Sequence, residues 1–165
     1  MTRKTIIGVI GPGEQATEHD LQNAYQLGYL IAQQGWLLLT GGRNVGVMET
    51  ANQGAKVAQG LTIGILPSND TSGVSAAVDI AIVTDMGNAR NNINVLSSDV
   101  VIACGMGAGT ASEIALAIKS DKLVILLNND INSQDFFQKL APQNVYIAAS
   151  VSDAIALTKN ILFNS

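Results

Sequence analysis

Short apolar runs alternate with segments of helical period along the whole chain. The runs are rich in Val, Ile and Leu, and the segments between them repeat apolar residues every three or four positions. This pattern predicts seven strands, over residues 5–10, 36–39, 61–66, 79–84, 99–104, 123–127 and 145–148. It also predicts six helices, over residues 17–34, 45–59, 88–97, 110–120, 134–140 and 152–162.

The predicted strands are continuous apolar runs, for example residues 36–39 and 100–103. Such runs are typical of a parallel sheet that helices cover on both faces. Strands and helices alternate without a linker or a low-complexity segment, so we expect residues 1–165 to form a single domain. The predicted fold is α/β: a doubly wound, Rossmann-like parallel sheet of about seven strands, with helices on both faces. In such sheets, ligands bind beyond the carboxyl ends of the strands.

Much of the glycine lies in the predicted turns from strand to helix. The glycines in these turns are Gly11 and Gly13 after the first strand, Gly41, Gly42 and Gly46 after the second, Gly87 after the fourth, and Gly105, Gly107 and Gly109 after the fifth. Because the carboxyl ends of parallel strands share one edge, bare backbone amides and helix amino termini should converge there. The pattern favours a site for a small anion such as phosphate. The alternative is a set of tight turns without a ligand.

The turn after the second strand argues against NAD as a cofactor. An ordinary dinucleotide site has an acidic residue at the tip of this strand, where it binds the ribose hydroxyls. Here the strand ends in Thr40-Gly41-Gly42-Arg43, which offers no carboxylate. A second contact to an anion suits this turn better.

Two basic side chains fall in or beside the glycine turns, Arg43 and Arg90. Arg90 is predicted near the start of a helix, where a cation opposes the helix dipole, and an anionic ligand would remove that cost. The alternative is a solvated surface arginine. Further candidates for ligand contact are Asn44, Met48 and Asn88. Asn88 opens a cluster of four asparagines that ends at Asn94, and these amides could cap the helix, contact a heterocycle or contact a second copy of the chain.

Thr110 and Glu113 have the spacing of a capping box, in which the glutamate would bond the backbone amide of its own helix. The functional alternative places Glu113 at the mouth of the anion pocket, where it could bind a sugar hydroxyl or a pterin nitrogen or act in acid–base chemistry. The spacing leaves both alternatives open.

The composition of the chain indicates which classes of partner it is not expected to bind. Only 13% of the 165 residues are charged, the net charge is −4, and no Lys/Arg cluster occurs, so neither nucleic acid nor a membrane surface is an expected partner. The one cysteine, Cys104, is expected to be a small buried residue, and with no signal-type segment the cytoplasm is the expected location. No metal-ligand spacing is present, and no resident metal is expected.

Two segments resemble the signatures of the Lonely Guy (LOG)-like, or lysine-decarboxylase-like, Rossmann superfamily. The first is residues 40–49, and the second runs from residues 85–90 to the Gly-x-Gly-x-Gly-Thr-x-x-Glu sequence of residues 105–113. The resemblance covers essentially the whole chain. It is strongest to the short branch that includes molybdenum cofactor carrier proteins. It implies that the finished cofactor is bound as cargo and protected without turnover, and it implies a homo-oligomer, a dimer or a tetramer.

The enzymes of the superfamily imply an alternative function, a nucleoside-monophosphate phosphoribohydrolase with Arg90 and Glu113 as catalytic residues. Two positions depart from the enzyme pattern. Asn91 occupies the place of a lysine, and Gly105-Met106-Gly107 replaces Pro-Gly-Gly. These departures keep the anion-binding framework but remove a charge that would assist cleavage of a phosphoribosyl group. The resemblance therefore favours a carrier.

Overall fold

The computed structural model describes residues 3–127 and 130–163. Its seven strands are β1 (Ile6–Ile10), β2 (Leu37–Thr40), β3 (Thr62–Leu66), β4 (Ile80–Val83), β5 (Val100–Cys104), β6 (Leu123–Leu127) and β7 (Val145–Ile147). Its six α-helices are α1 (Glu18–Gln33), α2 (Gly46–Val57), α3 (Asn91–Ser97), α4 (Ala108–Lys119), α5 (Ile131–Leu140) and α6 (Val151–Phe163). A 3₁₀ turn, Gly87–Arg90, precedes α3.

All seven strands are parallel and lie in the order β4-β3-β2-β1-β5-β6-β7. The chain therefore builds the sheet outward from β1 in one direction, returns to the centre at β5 and continues in the other direction. The connections that leave β1 and β5 diverge, and this switch point opens a cleft at the carboxyl edge of the sheet. The predicted doubly wound α/β fold is confirmed.

Two apolar layers hold the helices against the sheet. On one face, Leu27 of α1, Ala51 of α2 and Ala154 of α6 join a cluster with Ile102 of β5. On the other face, Val95, Ile114 and Phe137 bring α3, α4 and α5 against Val101, the strand neighbour of Ile102. Because successive strand residues point to opposite faces, β5 is buried on both sides, which explains its uninterrupted apolar sequence.

Helices α1 and α2 pack with backbone against backbone. A Cβ added to Gly28 would lie 1.9 Å from the carbonyl oxygen of Ala51, and one added to Gly54 would lie 2.0 Å from that of Tyr25. Only glycine fits at these crossings. The two helices begin at the carboxyl edge of the sheet, so their close packing also fixes the loops that precede them.

Two helices begin earlier than predicted, because their N-cap residues set the start of the helix. Helix α4 begins at Ala108, two residues before the predicted start, because Gly107 has extended backbone geometry and acts as its N-cap. Helix α5 begins at Ile131 rather than at residue 134, because the Asp130 carboxylate accepts a hydrogen bond from the amide of Asn132. The segment predicted as one helix over 88–97 divides into the 3₁₀ turn and α3.

Strand β4 is the exposed edge of the sheet. Its apolar side chains Ile80, Ile82 and Val83 are 44%, 43% and 42% exposed. The connection from β3 to β4 runs through turns rather than a helix, so this end of the sheet lacks the cover that the central strands have. None of the helices within residues 3–127 and 130–163 has both the length and the apolar character needed to cross a bilayer.

Candidate anion-binding site

A cavity of about 360 Å³ lies at the carboxyl edge of the sheet, next to the switch point. Of the fourteen residues predicted to contact a ligand, nine line this cavity: Gly11, Gly41, Arg43, Met48, Asn88, Arg90, Gly109, Thr110 and Glu113. The other five lie in the same turns but outside the lining: Gly42, Asn44, Gly46, Gly105 and Gly107. The turn after β1 adds Glu14 and Gln15, which the sequence prediction did not include although they directly follow its glycine turn.

Arg90 is a buried cation at the cavity wall. It is only 8% exposed, and a Cβ added to Gly41 would lie 2.9 Å from its Nη2 atom, so the guanidinium packs on the glycine. Its Nη1 donates to Asn91 Oδ1 at 3.1 Å, whereas its Nε has no hydrogen-bond partner. Within the described residues, none of the ion pairs includes Arg90. Burial lowers the pKa of this guanidinium, and Glu113 opposes that effect. An anion in the cavity would supply the missing counter-charge.

Arg43 has a different environment at the mouth of the cavity. Its side chain is 44% exposed, and Nη2 lies 3.1 Å from Oε1 of the still more exposed Glu14. The carboxylate balances part of the positive charge, and solvent screens the rest. Of the two predicted cations, Arg90 is therefore the stronger attractor for a ligand inside the cavity.

The two main glycine turns offer different numbers of free amides. In the turn between β2 and α2, the amide of Gly42 donates to Thr40 Oγ1 at 3.0 Å, and the amide of Asn44 donates to the carbonyl oxygen of Gly73 at 2.9 Å. These amides hold the turn itself. In α4, by contrast, Ala108, Gly109 and Thr110 form the first helical turn, whose amides have no acceptor within the helix, and all three line the cavity.

The capping-box alternative for Thr110 and Glu113 is wrong. The N-cap of α4 is Gly107, so Thr110 lies inside the first turn and its hydroxyl does not cap the helix. Thr110 Oγ1 is buried and has no hydrogen-bond partner among residues 3–127 and 130–163. Glu113 accepts a hydrogen bond from Asn94 Nδ2 at 2.9 Å instead. Both side chains lie on the cavity wall, one helical turn apart.

Glu113 is a carboxyl group with a strongly altered proton affinity. It is 7% exposed, and burial raises its pKa to about 7, although the hydrogen bond from Asn94 and the charge of Arg90 both act to lower it. Near neutral pH this group therefore exists as a mixture of acid and carboxylate. A perturbed carboxyl group that faces a cavity is characteristic of a functional site.

Two members of the asparagine cluster, Asn91 and Asn94, form hydrogen bonds to α4 beside the cavity. Asn94, which is buried, orients Glu113, and Asn91 donates from Nδ2 to Ser112 Oγ at 3.3 Å while accepting from Arg90. Because these residues are one turn apart on α3 and their partners are adjacent on α4, the two helices are joined beside the cavity. Asn88 is exposed at the rim of the cavity. Neither Asn91 nor Asn94 caps α3, and contact of the cluster with a heterocycle or a second copy of the chain stays a prediction.

Cys104 is inert at the end of β5. Its thiol is fully buried and contacts the carbonyl oxygen of Asp20 at 3.3 Å. Burial raises the pKa of the thiol to about 12, so it remains protonated at physiological pH. The prediction of a small buried residue is confirmed.

The doubly wound sheet, with the buried cation Arg90 at the wall of its switch-point cleft, defines an open α/β protein of the Rossmann-like class. Residues 4–155 match the model of the SLOG cluster4 family, and the chain belongs to this family. The resemblance to the LOG-like superfamily is thereby confirmed.

The chain is also similar over most of its length to individual proteins, two of which have solved structures. The molybdenum cofactor binding protein of the phototrophic bacterium Rippkaea orientalis is 68% identical, with 98% of this chain and 99% of that chain covered and a TM-score of 0.97. The Moco carrier protein of Chlamydomonas reinhardtii is 52% identical, with 99% and 100% covered and a TM-score of 0.93. An uncharacterized protein of Archaeoglobus fulgidus is 50% identical over 121 residues, which are 73% of this chain and 78% of that protein.

Proposed function

We propose that this protein is a molybdenum cofactor carrier, which binds the assembled cofactor and releases it unchanged. The observation that carries the proposal is Arg90, a guanidinium that is buried at the wall of a cavity and forms no ion pair within the described residues. The chain is also 68% identical, over nearly its full length, to a molybdenum cofactor binding protein. The cofactor bears a phosphate and an oxo-metal group, and either anion would satisfy this cation.

The donor set of the cavity suits the phosphate. The free first-turn amides of α4, the hydroxyl of Thr110 and the guanidinium of Arg90 are all donors, and the amino terminus of the helix adds its positive dipole. Arg43 lies at the mouth and would attract the anion on entry. We assign the remaining predicted residues of the glycine turns to shaping the edge on which the ligand rests.

The carrier proposal predicts retention of the cofactor without turnover. Purified protein incubated with released cofactor should elute from size exclusion with molybdenum and pterin in equal amounts, and the bound pterin should oxidise more slowly than the free cofactor. An unrelated protein of similar net charge provides the control. Elution of the cofactor apart from the protein would reject the carrier function.

The same preparation tests the phosphoribohydrolase alternative. Asn91, at the position of the enzyme lysine, is a neutral side chain engaged with Arg90 and Ser112, so it supplies no charge to a phosphoribosyl group. Incubation with a panel of nucleoside monophosphates should therefore release no free base. Release that is abolished by Glu113→Ala would favour the enzyme over the carrier.

We further propose that the chain forms a homo-oligomer in a reducing compartment. The apolar side chains of β4, exposed along an open sheet edge, support self-association, because such edges are usually covered in stable proteins. The single buried thiol is compatible with the cytoplasm. Light scattering at micromolar concentration should give the mass of a dimer or tetramer, and a monomeric mass would contradict the assembly.

A further inference from the structure

Among the buried polar side chains that line the cavity, Arg90 and Thr110 are donors and Glu113 is an acceptor, whereas the second carboxylate of the lining, Glu14, is exposed and paired with Arg43. The amides of the first turn of α4, Thr110 and Arg90 can donate to an anion. Glu113 lies one helical turn further along α4 and, as a carboxylate, can only accept. One oxygen of this group is held by Asn94, and the side chain is almost completely withdrawn from solvent. The site therefore contains an acceptor position beside a donor position.

These two positions cannot be occupied by the same kind of ligand group. A phosphate or an oxo-metal anion placed against a carboxylate would be repelled, whereas the donor position attracts it. The part of a pterin that offers donors is the edge of its pyrimidine ring, where the 2-amino group and the N3–H lie side by side. A carboxylate accepts two such parallel N–H groups in the manner in which it accepts the fork of an arginine.

We propose that Glu113 recognises the 2-amino-4-oxo edge of the pterin ring, and thereby fixes which end of the cofactor enters the cavity first. This inference rests on the proposed carrier function and adds to it the group that distinguishes a pterin from other anionic heterocycles. The carboxylate accepts from the 2-amino group and from N3–H, Asn94 holds the carboxylate in place, and the phosphate lies toward the amino terminus of α4. Glu113 acts here as a specificity residue and transfers no proton to the ligand.

The protonation of Glu113 gives the recognition a pH dependence. The charged group that acts on it is Arg90, on the 3₁₀ turn, while Asn94 on α3 and Thr110 on α4 do not titrate in this range. Arg43 and Glu14 lie at the mouth as a pair. Only the ionised form accepts both N–H groups, and with a pKa of about 7 the ionised fraction falls from about nine-tenths at pH 8 to about one-tenth at pH 6.

The test uses two metal-free probes, 6-carboxypterin and its 2-oxo analogue 6-carboxylumazine, which differ in the 2-amino group and the associated ring N–H pattern. The wild-type protein should bind the pterin at least about tenfold more tightly at pH 8, because the analogue presents a carbonyl oxygen to the carboxylate. Its affinity for the pterin should fall about tenfold between pH 8 and pH 6. Isothermal titration or the intrinsic fluorescence of the probes measures both quantities.

Two variants complete the design. Glu113→Gln, whose side chain has the same shape, should lose both the preference for the pterin over the lumazine and the pH dependence of binding. Any pH dependence that remains in this variant reports titration of the probe itself. Glu18→Gln, an exposed carboxylate on α1 outside the cavity, should behave as wild type. Thermal unfolding of each variant checks that it is folded.

Three results would overturn the inference: equal affinity for the two probes, a pterin affinity that rises as the pH falls, or a Glu113→Gln profile identical to that of the wild type. The rise would mean that protonated Glu113 donates to an anion. Failure of the inference is distinguishable from failure of the carrier function. If the wild-type protein retains the whole cofactor but does not distinguish the probes, the carrier stands and only the role of Glu113 is lost.

Discussion

Replacing Arg90 with glutamine is expected to weaken binding of the cofactor, or of inorganic phosphate used as a probe, by about 10- to 100-fold. A hydrogen bond to a charged group contributes about 1.5–3 kcal/mol. The guanidinium of Arg90 is buried at the cavity wall and has no ion pair in the part of the chain that the structure describes. Titration of the protein with each ligand, followed by calorimetry, measures the loss.

The matched control for this prediction is Arg43→Gln, the same substitution on the same cavity. Because Arg43 is 44% exposed and already paired with Glu14, its loss should weaken binding by less than the loss of Arg90. Higher salt should reduce the contribution of Arg43 and leave that of Arg90 largely intact, since a buried charge is less screened. Equal effects of the two substitutions would show that the cavity does not bind its anion through the buried cation.

The second large effect concerns stability. Glu113→Gln is expected to raise the free energy of unfolding at pH 8 by roughly 3 kcal/mol, a value that follows from a pKa of about 7 in the folded protein against 4.5 for the ordinary group. The folded state holds this proton more tightly than the unfolded chain. The contribution of Glu113 to stability is therefore greatest below pH 4.5 and is lost as the pH rises from 4.5 to 7.

Urea denaturation of the wild type and the Glu113→Gln variant at pH 5 and pH 8 tests this prediction. At pH 5, Glu113 is protonated in the folded protein, so the two proteins should differ little. At pH 8 the wild type carries a buried carboxylate, whereas the variant carries a neutral amide that can still bond Asn94. A difference in stability that does not change with pH would contradict the assignment of the raised pKa to Glu113.

A carboxylate retained at a cost in stability is typical of a residue that serves binding or catalysis. If both predictions hold, Arg90 and Glu113 have opposite relations to the ligand. Arg90 needs an anion to complete its environment. Glu113 needs the ligand to supply hydrogen-bond donors that the protein does not provide.

The fold was largely predictable because β-sheet burial leaves a strong imprint on the sequence. The uninterrupted apolar run of β5 and the glycine turns at the strand ends specify a parallel sheet and its functional edge. The exposure of β4 was not predictable from the sequence in the same way. Its run of four apolar residues reads like that of a central strand, yet the connection preceding it forms turns and leaves it exposed.

The position of the site could be predicted from the sequence, but the hydrogen-bond partners of its side chains could not. Nine candidate residues line one cavity because the topology brings the turns together. The spacing of Thr110 and Glu113 fits either a helix cap or a ligand contact, and the choice depends on Gly107, whose extended backbone starts the helix earlier. Likewise, the hydrogen bond between Asn94 and Glu113 joins two residues that are 19 positions apart on different helices, a pairing that no local pattern encodes.

The strand order determines where the cleft lies, whereas the side chains on the turns determine which ligand it can bind. The opening between the diverging connections is created by the strand order of the sheet, whereas the groups that would contact a ligand are a few side chains on the turns above it. Exchanging those side chains leaves the apolar layers untouched. The ligand of this scaffold is thus open to reassignment by substitutions at the cleft alone, without rebuilding the core.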